Sequence, residues 1–61
     1  MTPIQQKDLY IEWNLYETSK KKAILLEYRS RYRGNHSKRN LFDFLADKLE
    51  IRGYWAKMGI V

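Results

Sequence analysis

At 61 residues the chain makes one small domain, and a domain of that size buries only about 60% of the surface it exposes when unfolded, so its stability alone is marginal. With no Cys and a single His, neither disulfides nor a Cys/His metal site can staple it, which leaves self-association as the common remaining device. Twelve Lys and Arg against seven Asp and Glu give a formal charge of +5, a balance that favours nucleic acid or another polyanion over a neutral small molecule.

Residues 1–8 read as an N-terminal arm. Met1-Thr2-Pro3-Ile4-Gln5 lacks the charged-then-apolar layout of a signal peptide, and no apolar run approaches the roughly 20 residues needed to span a bilayer. The expectation is a soluble, cytoplasmic protein without membrane contact, and the lack of Cys is compatible with a reducing compartment. Over residues 9–16, Leu9, Ile11, Trp13 and Leu15 alternate strictly with Tyr10, Glu12, Asn14 and Tyr16, which predicts a strand. Wound as a helix, the same apolar residues fall on opposite sides and leave no single stripe to bury. The rival is a first helix from Pro3 toward Tyr16, because Thr2-Pro3-Ile4-Gln5 supplies an N-cap, a proline at the first helical position and a capping-box glutamine.

The period then changes to that of a helix over residues 19–33, with Thr18 or Ser19 available as a cap. Ile24, Leu25, Tyr28 and Tyr32 share one face, Lys22, Arg29 and Arg33 the other, and Gly34 stops it. A second helix is predicted over residues 37–51, with Leu41, Phe42, Leu45, Ala46 and Leu49 on a broad apolar stripe and Asp43, Asp47 and Glu50 on the reverse. Phe44 and Ile51 lie off that stripe and are placed to receive the apolar tail of residues 52–61, while Gly53 ends or bends the helix.

Charge is concentrated where the two predicted helices meet. Eight of the 12 Lys and Arg lie between Lys20 and Arg39, where Glu27 is the only acid. From Arg29 to Arg39 the chain holds five fixed cations, no carboxylate and the turn Gly34-Asn35-His36 before the helix-start residue Ser37. Cations around a helix N-terminus, where free backbone N–H groups and the helix dipole point the same way, suit a phosphate.

One strand and two helices pose a physical problem, since a lone strand cannot leave its backbone groups unpaired against a core. A second copy pairing its strand antiparallel solves this, and the expected fold is mainly α with one short N-terminal strand, assembled as a homodimer. That pattern resembles the ribbon-helix-helix repressors of the Arc and methionine-repressor type. The resemblance spans residues 9–50: the alternating strand, a helix of about fifteen residues, the Gly34-Asn35-His36-Ser37 turn, and Ser37-Lys38-Arg39-Asn40-Leu41-Phe42 opening the next helix. It implies a double-stranded DNA-binding homodimer, a transcriptional repressor or accessory regulator of a short duplex site. Tyr10, Glu12 and Asn14 would then read bases, and Arg29, Arg31, Arg33, His36, Ser37, Lys38 and Arg39 would hold phosphate.

Three alternatives accompany this reading. Tyr10, Glu12, Asn14 and Tyr16 also suit an ordinary solvent face or a protein interface. Residues 44–53 resemble the first helix and turn of a helix-turn-helix, with small Ala46 and apolar Leu49 and Ile51 at suitable spacing, although Glu50 stands where that turn usually takes glycine and Gly59 where a buried aliphatic is usual. A helical first segment would favour this all-α bundle. Functionally, the alternative is a small basic protein that binds and modulates an acidic surface of another protein. Nothing in the chain pairs a nucleophile with His36, so no enzyme, cofactor or metal is expected. Asp43, Asp47 and Glu50 are read as a wet helix face, a patch for a protein partner, or partners for Lys48 and Arg52.

Overall fold

The computed structural model describes residues 1–61 as four helices: α1 (Pro3–Trp13), α2 (Thr18–Arg31), α3 (Lys38–Lys48) and α4 (Arg52–Met58). No residue is in a strand. The expected ribbon over residues 9–16 is therefore wrong, and with it the ribbon-helix-helix homodimer, because a chain without a strand has no unpaired edge for a second copy to complete.

The cause lies at the start of α1. The Thr2 Oγ accepts the Gln5 N–H and the Thr2 N–H donates to Gln5 Oε1, both at 3.2 Å, with Pro3 in the first turn. This reciprocal cap satisfies two of the orphan donors of a helix start. Once nucleated, the helix gains one hydrogen bond for each residue added, and it runs through the alternating segment. Leu9, 2% exposed, and Trp13, four residues on, face inward, whereas Ile11 is 50% and Leu15 72% exposed. The alternation thus served two faces of a helix instead of one face of a sheet.

Helix α2 begins at Thr18 after Glu17, whose side chain makes no capping bond; neither Thr18 nor Ser19 is the cap. Its inward face is the expected one: Ile24 and Tyr28 are buried, Leu25 and Tyr32 half-buried. Gly34, with φ of 70°, stands in the turn that follows. Helix α3 is capped by Ser37, whose Oγ accepts the Asn40 N–H at 3.0 Å. Phe44, predicted to lie off the stripe, is in the core with Leu45 and Ala46, because two helices cover α3: α1 takes one side and α2 the other. Tyr28 of α2 and its C-cap Tyr32 pack on Phe44, whose ring centroid is 5.5 Å from Tyr28 and 6.0 Å from Tyr32.

The predicted tail is helix α4. Gly53 lies inside it and neither ends nor bends the preceding helix; the break falls at residues 49–51, where Glu50 adopts φ of 56°. Ile51 and Trp55 bury against the core, and the Trp55 Nε1–H donates to Asp8 Oδ2 at 2.6 Å, tying α4 to α1. Gly59, with φ of 69°, ends α4 as the Ile60 N–H returns to the Trp55 carbonyl at 2.8 Å and Gln5 Nε2 donates to the Ile60 carbonyl at 3.2 Å. No helix is long and apolar enough to cross a membrane.

Candidate nucleic-acid interface

The corner between α2 and α3 gathers the cations. Arg29 and Arg31 occupy the last turn of α2, where positive charge complements the carbonyl end of the helix dipole. Arg33 follows in the turn, and Lys38 and Arg39 open α3; all five side chains are exposed. The turn between them is braced. The Tyr28 hydroxyl donates to the Ser37 carbonyl at 3.3 Å, the Asn40 Nδ2 donates to the Asn35 carbonyl at 3.0 Å, and His36 stands edge-on to Tyr28 with ring centroids 5.3 Å apart. The ring of a buried tyrosine therefore sets the direction in which α3 starts. Ser37 occupies the Asn40 N–H, so the N–H groups of Lys38 and Arg39 remain as outward donors at the positive end of α3.

Of the four cations outside the Lys20–Arg39 stretch, Lys48 and Arg52 are paired and Lys7 and Lys57 are not. The ion pairs are Lys48 to Glu27 at 2.7 Å, and Arg52 to Asp43 at 3.1 Å and to Asp47 at 2.8 Å. None involves any of the eight cations between Lys20 and Arg39. Several of those eight lie over aromatic rings instead: Arg31 is 5.4 Å from the centroid of Phe44, Lys38 5.7 Å from Phe42, Lys21 5.8 Å from Trp13 and Lys20 5.5 Å from Tyr16. A ring face holds a cation in place without neutralising it.

The acidic face predicted on α3 is mostly spent internally. Asp43 and Asp47 both accept from Arg52, as one of the sequence readings had it, and raise its guanidinium further above its ordinary value, the Asp47 hydrogen bond contributing most and partial burial opposing. Lys48 turns instead to Glu27, and its hydrogen bond holds that carboxyl below the ordinary carboxylate range against a smaller opposing effect of desolvation. Glu50 stands apart in the turn. No three His, Cys, Asp or Glu side chains converge on a point.

Tyr10, Glu12 and Asn14 are not brought to the corner on a ribbon. They lie on α1 and its C-terminal cap, where the Asn14 Nδ2 donates to the Tyr10 carbonyl at 2.9 Å and its Oδ1 accepts from Lys21 at 3.3 Å. Of the ten predicted contact residues, the seven assigned to phosphate share the corner, and the three assigned to bases do not.

Of the residues whose spacing resembles a helix-turn-helix, Ala46 is fully buried and Ile51 is in the core, Leu49 is half-buried at the C-cap of α3, and Glu50 takes the left-handed conformation at the position where that turn usually has glycine. The second helix differs: α4 spans seven residues, buries Trp55, and reaches its left-handed cap at Gly59. No protein-family model matches this chain, and no curated protein or solved structure is significantly similar to it.

Proposed function

We propose that the protein binds double-stranded DNA, as a small regulatory or accessory factor, through contacts dominated by the phosphate backbone. The observation that carries this reading is the cluster of fixed cations at the α2–α3 corner with no acid paired to any of them, set around the N-terminus of α3. Phosphate contacts from arginines, lysines and helix-start N–H groups position a protein on a duplex without reading its bases. In a helix-turn-helix docking the first helix of the pair crosses the backbone, and here that helix is α3, with Ser37, Lys38 and Arg39 at its start. The second helix, α4, offers little for base reading: Arg52 is held by Asp43 and Asp47, and Lys57 is its one other cation. Discrimination among sequences is accordingly expected to be shallow.

The test is a titration of a fluorescently labelled duplex at rising salt. Contacts from Arg29, Arg33, Lys38 and Arg39 predict a log–log slope of roughly −4, and alanine at Arg33, Lys38 or Arg39 is expected to flatten it by about one unit each. Binding that is absent at low ionic strength, or indifferent to salt, overturns the reading.

A further inference from the structure

A cavity of about 470 Å³ opens between α1 and α3. Its floor is aliphatic and its outer lining aromatic: Leu9 and Leu45 are buried and Leu41 half-buried, whereas Trp13 and Phe42 are half-buried and Tyr10 is 69% exposed. One exposed ring is ordinary on a small protein. Three that line a single groove offer flat apolar faces to whatever enters it.

The charge of the groove has one sign. No acid lines it, Lys7 does, the Lys21 Nζ lies 5.8 Å from the Trp13 ring centroid and the Lys38 Nζ 5.7 Å from that of Phe42. None of the three lysines is in an ion pair, and Lys21 donates only to the neutral Asn14 amide. The ligand that complements such a groove is flat and apolar against the rings and negative beside them. An unpaired nucleotide is both, since every base has a π-face and every linkage a phosphate. Bases within a duplex are not available in this way, because their faces already stack on one another. An acyl chain would bring one charge to cations that are spread along the groove, α1 advancing about 9 Å between Lys7 and Trp13.

Lys38 belongs to two places. It opens α3 in the phosphate corner, and its ammonium lies over a ring of the groove, so a nucleic-acid backbone that passes Lys38 arrives at Phe42. We propose that the groove is a stacking site for unpaired bases. Where a duplex held at the α2–α3 corner gives way to a single strand, that strand continues past Lys38 and lays its bases on Phe42, Trp13 and Tyr10, with its phosphates toward Lys21 and Lys7. The path of the strand rests on the duplex-binding reading; the ring faces and the unpaired lysines do not.

Three labelled DNAs test it: a blunt duplex, the same duplex with a single-stranded extension of about six thymidines, and one with an abasic extension of equal length. The abasic strand carries the same phosphates, so whatever the thymidines add comes from their bases. They are expected to tighten binding at least about fivefold over the abasic extension. They are also expected to quench the fluorescence of Trp13, Trp55 being 2% exposed, and Trp13→Phe to remove the quench while a ring remains to stack on. Tyr10→Ala should lose most of the gain and leave blunt-duplex affinity unchanged, whereas Tyr54→Ala, an exposed ring of α4 outside the groove, should keep the gain. Blunt-duplex binding with no gain from thymidines over abasic sugars overturns the groove alone; no binding to any of the three DNAs overturns the duplex reading and the strand path with it. Equal loss in Tyr10→Ala and Tyr54→Ala, Trp13 emission that responds to dodecanoate and not to thymidines, or a dimer that Tyr10→Ala dissociates each gives the groove another role and overturns the proposal.

Discussion

The α3–α4 end and the α2–α3 corner use the same residue types to opposite ends. At the first, most charged side chains are paired: Arg52 bridges Asp43 and Asp47, Lys48 meets Glu27, and the indole of Trp55 meets Asp8. At the second, arginines and lysines outnumber acids and no pair forms. A cation that has found its carboxylate is holding the fold, and one placed over a ring beside other cations is kept available. Both regions rest on one side chain, Phe44, which packs under Tyr28 and Tyr32 and carries Arg31 on its face.

That shared support gives the largest expected effect. Phe44→Ala removes a ring that is 3% exposed and should cost about 3–5 kcal/mol, most of the stability of so small a domain. Thermal denaturation followed by circular dichroism reads it. The corner depends on the same packing, so DNA affinity is expected to fall even at temperatures where the helices persist; unaltered affinity would show the corner to be independent of the core.

A smaller change separates the two regions. Trp55→Phe keeps most of the buried ring and removes the N–H that Asp8 accepts, leaving a partly buried carboxylate without its donor. The expected loss is about 1–3 kcal/mol in urea denaturation, with no change in the salt slope of DNA binding. Arg33→Ala should do the converse, shifting stability by less than about 0.5 kcal/mol while flattening the slope.

The contrast also explains what was legible in the sequence. The inward face of residues 19–33 could be read because α2 buries one stripe, part of that of residues 37–51 because Leu45 and Ala46 lie where two packed faces of α3 meet, and the basic turn because charge and turn residues are local properties. Residues 9–16 misled because α1 carries apolar side chains on two sides, Leu9 and Trp13 toward the core and Ile11 and Leu15 away from it, a distribution that alternation counts as a strand. The capping box of Thr2 and Gln5 was the signal that decided otherwise, and it lay outside the alternating window. Phe44 and Trp55 were harder. Which side of α3 is buried depends on a second helix packing there, and the partner of Trp55 is Asp8, 47 residues away in sequence.

The α3–α4 turn gives a change of opposite sign. Glu50 holds φ of 56°, a conformation that costs an L-residue roughly 1–2 kcal/mol, and its side chain makes no hydrogen bond or ion pair that a substitution would lose. Glu50→Gly is expected to stabilise the fold by about 0.5–1 kcal/mol, the relief of strain being partly offset by the greater freedom glycine gives the unfolded chain. A raised denaturation midpoint at constant m-value checks it. A lowered midpoint would mean that Glu50 serves the α3–α4 connection through its side chain.

The smallest effect concerns the one ion pair that joins α2 to α3. The Lys48 hydrogen bond lowers the Glu27 carboxyl below its ordinary value near 4.5, so the folded state binds that proton less readily than the unfolded chain. The contribution is then fully present above the ordinary carboxylate range and is lost as pH falls below about 4.5 through the depressed folded value. Both side chains are well exposed, which keeps the effect small and makes it weaken with salt. Lys48→Met should leave stability at pH 7 close to that of the parent and make it decline less steeply between about pH 5 and 3, as read by urea denaturation at each pH. Because the other carboxylates titrate in both proteins, the difference between the two curves isolates Glu27. Parallel curves would mean that Lys48 holds α2 to α3 by the packing of its methylene stem and not by its charge.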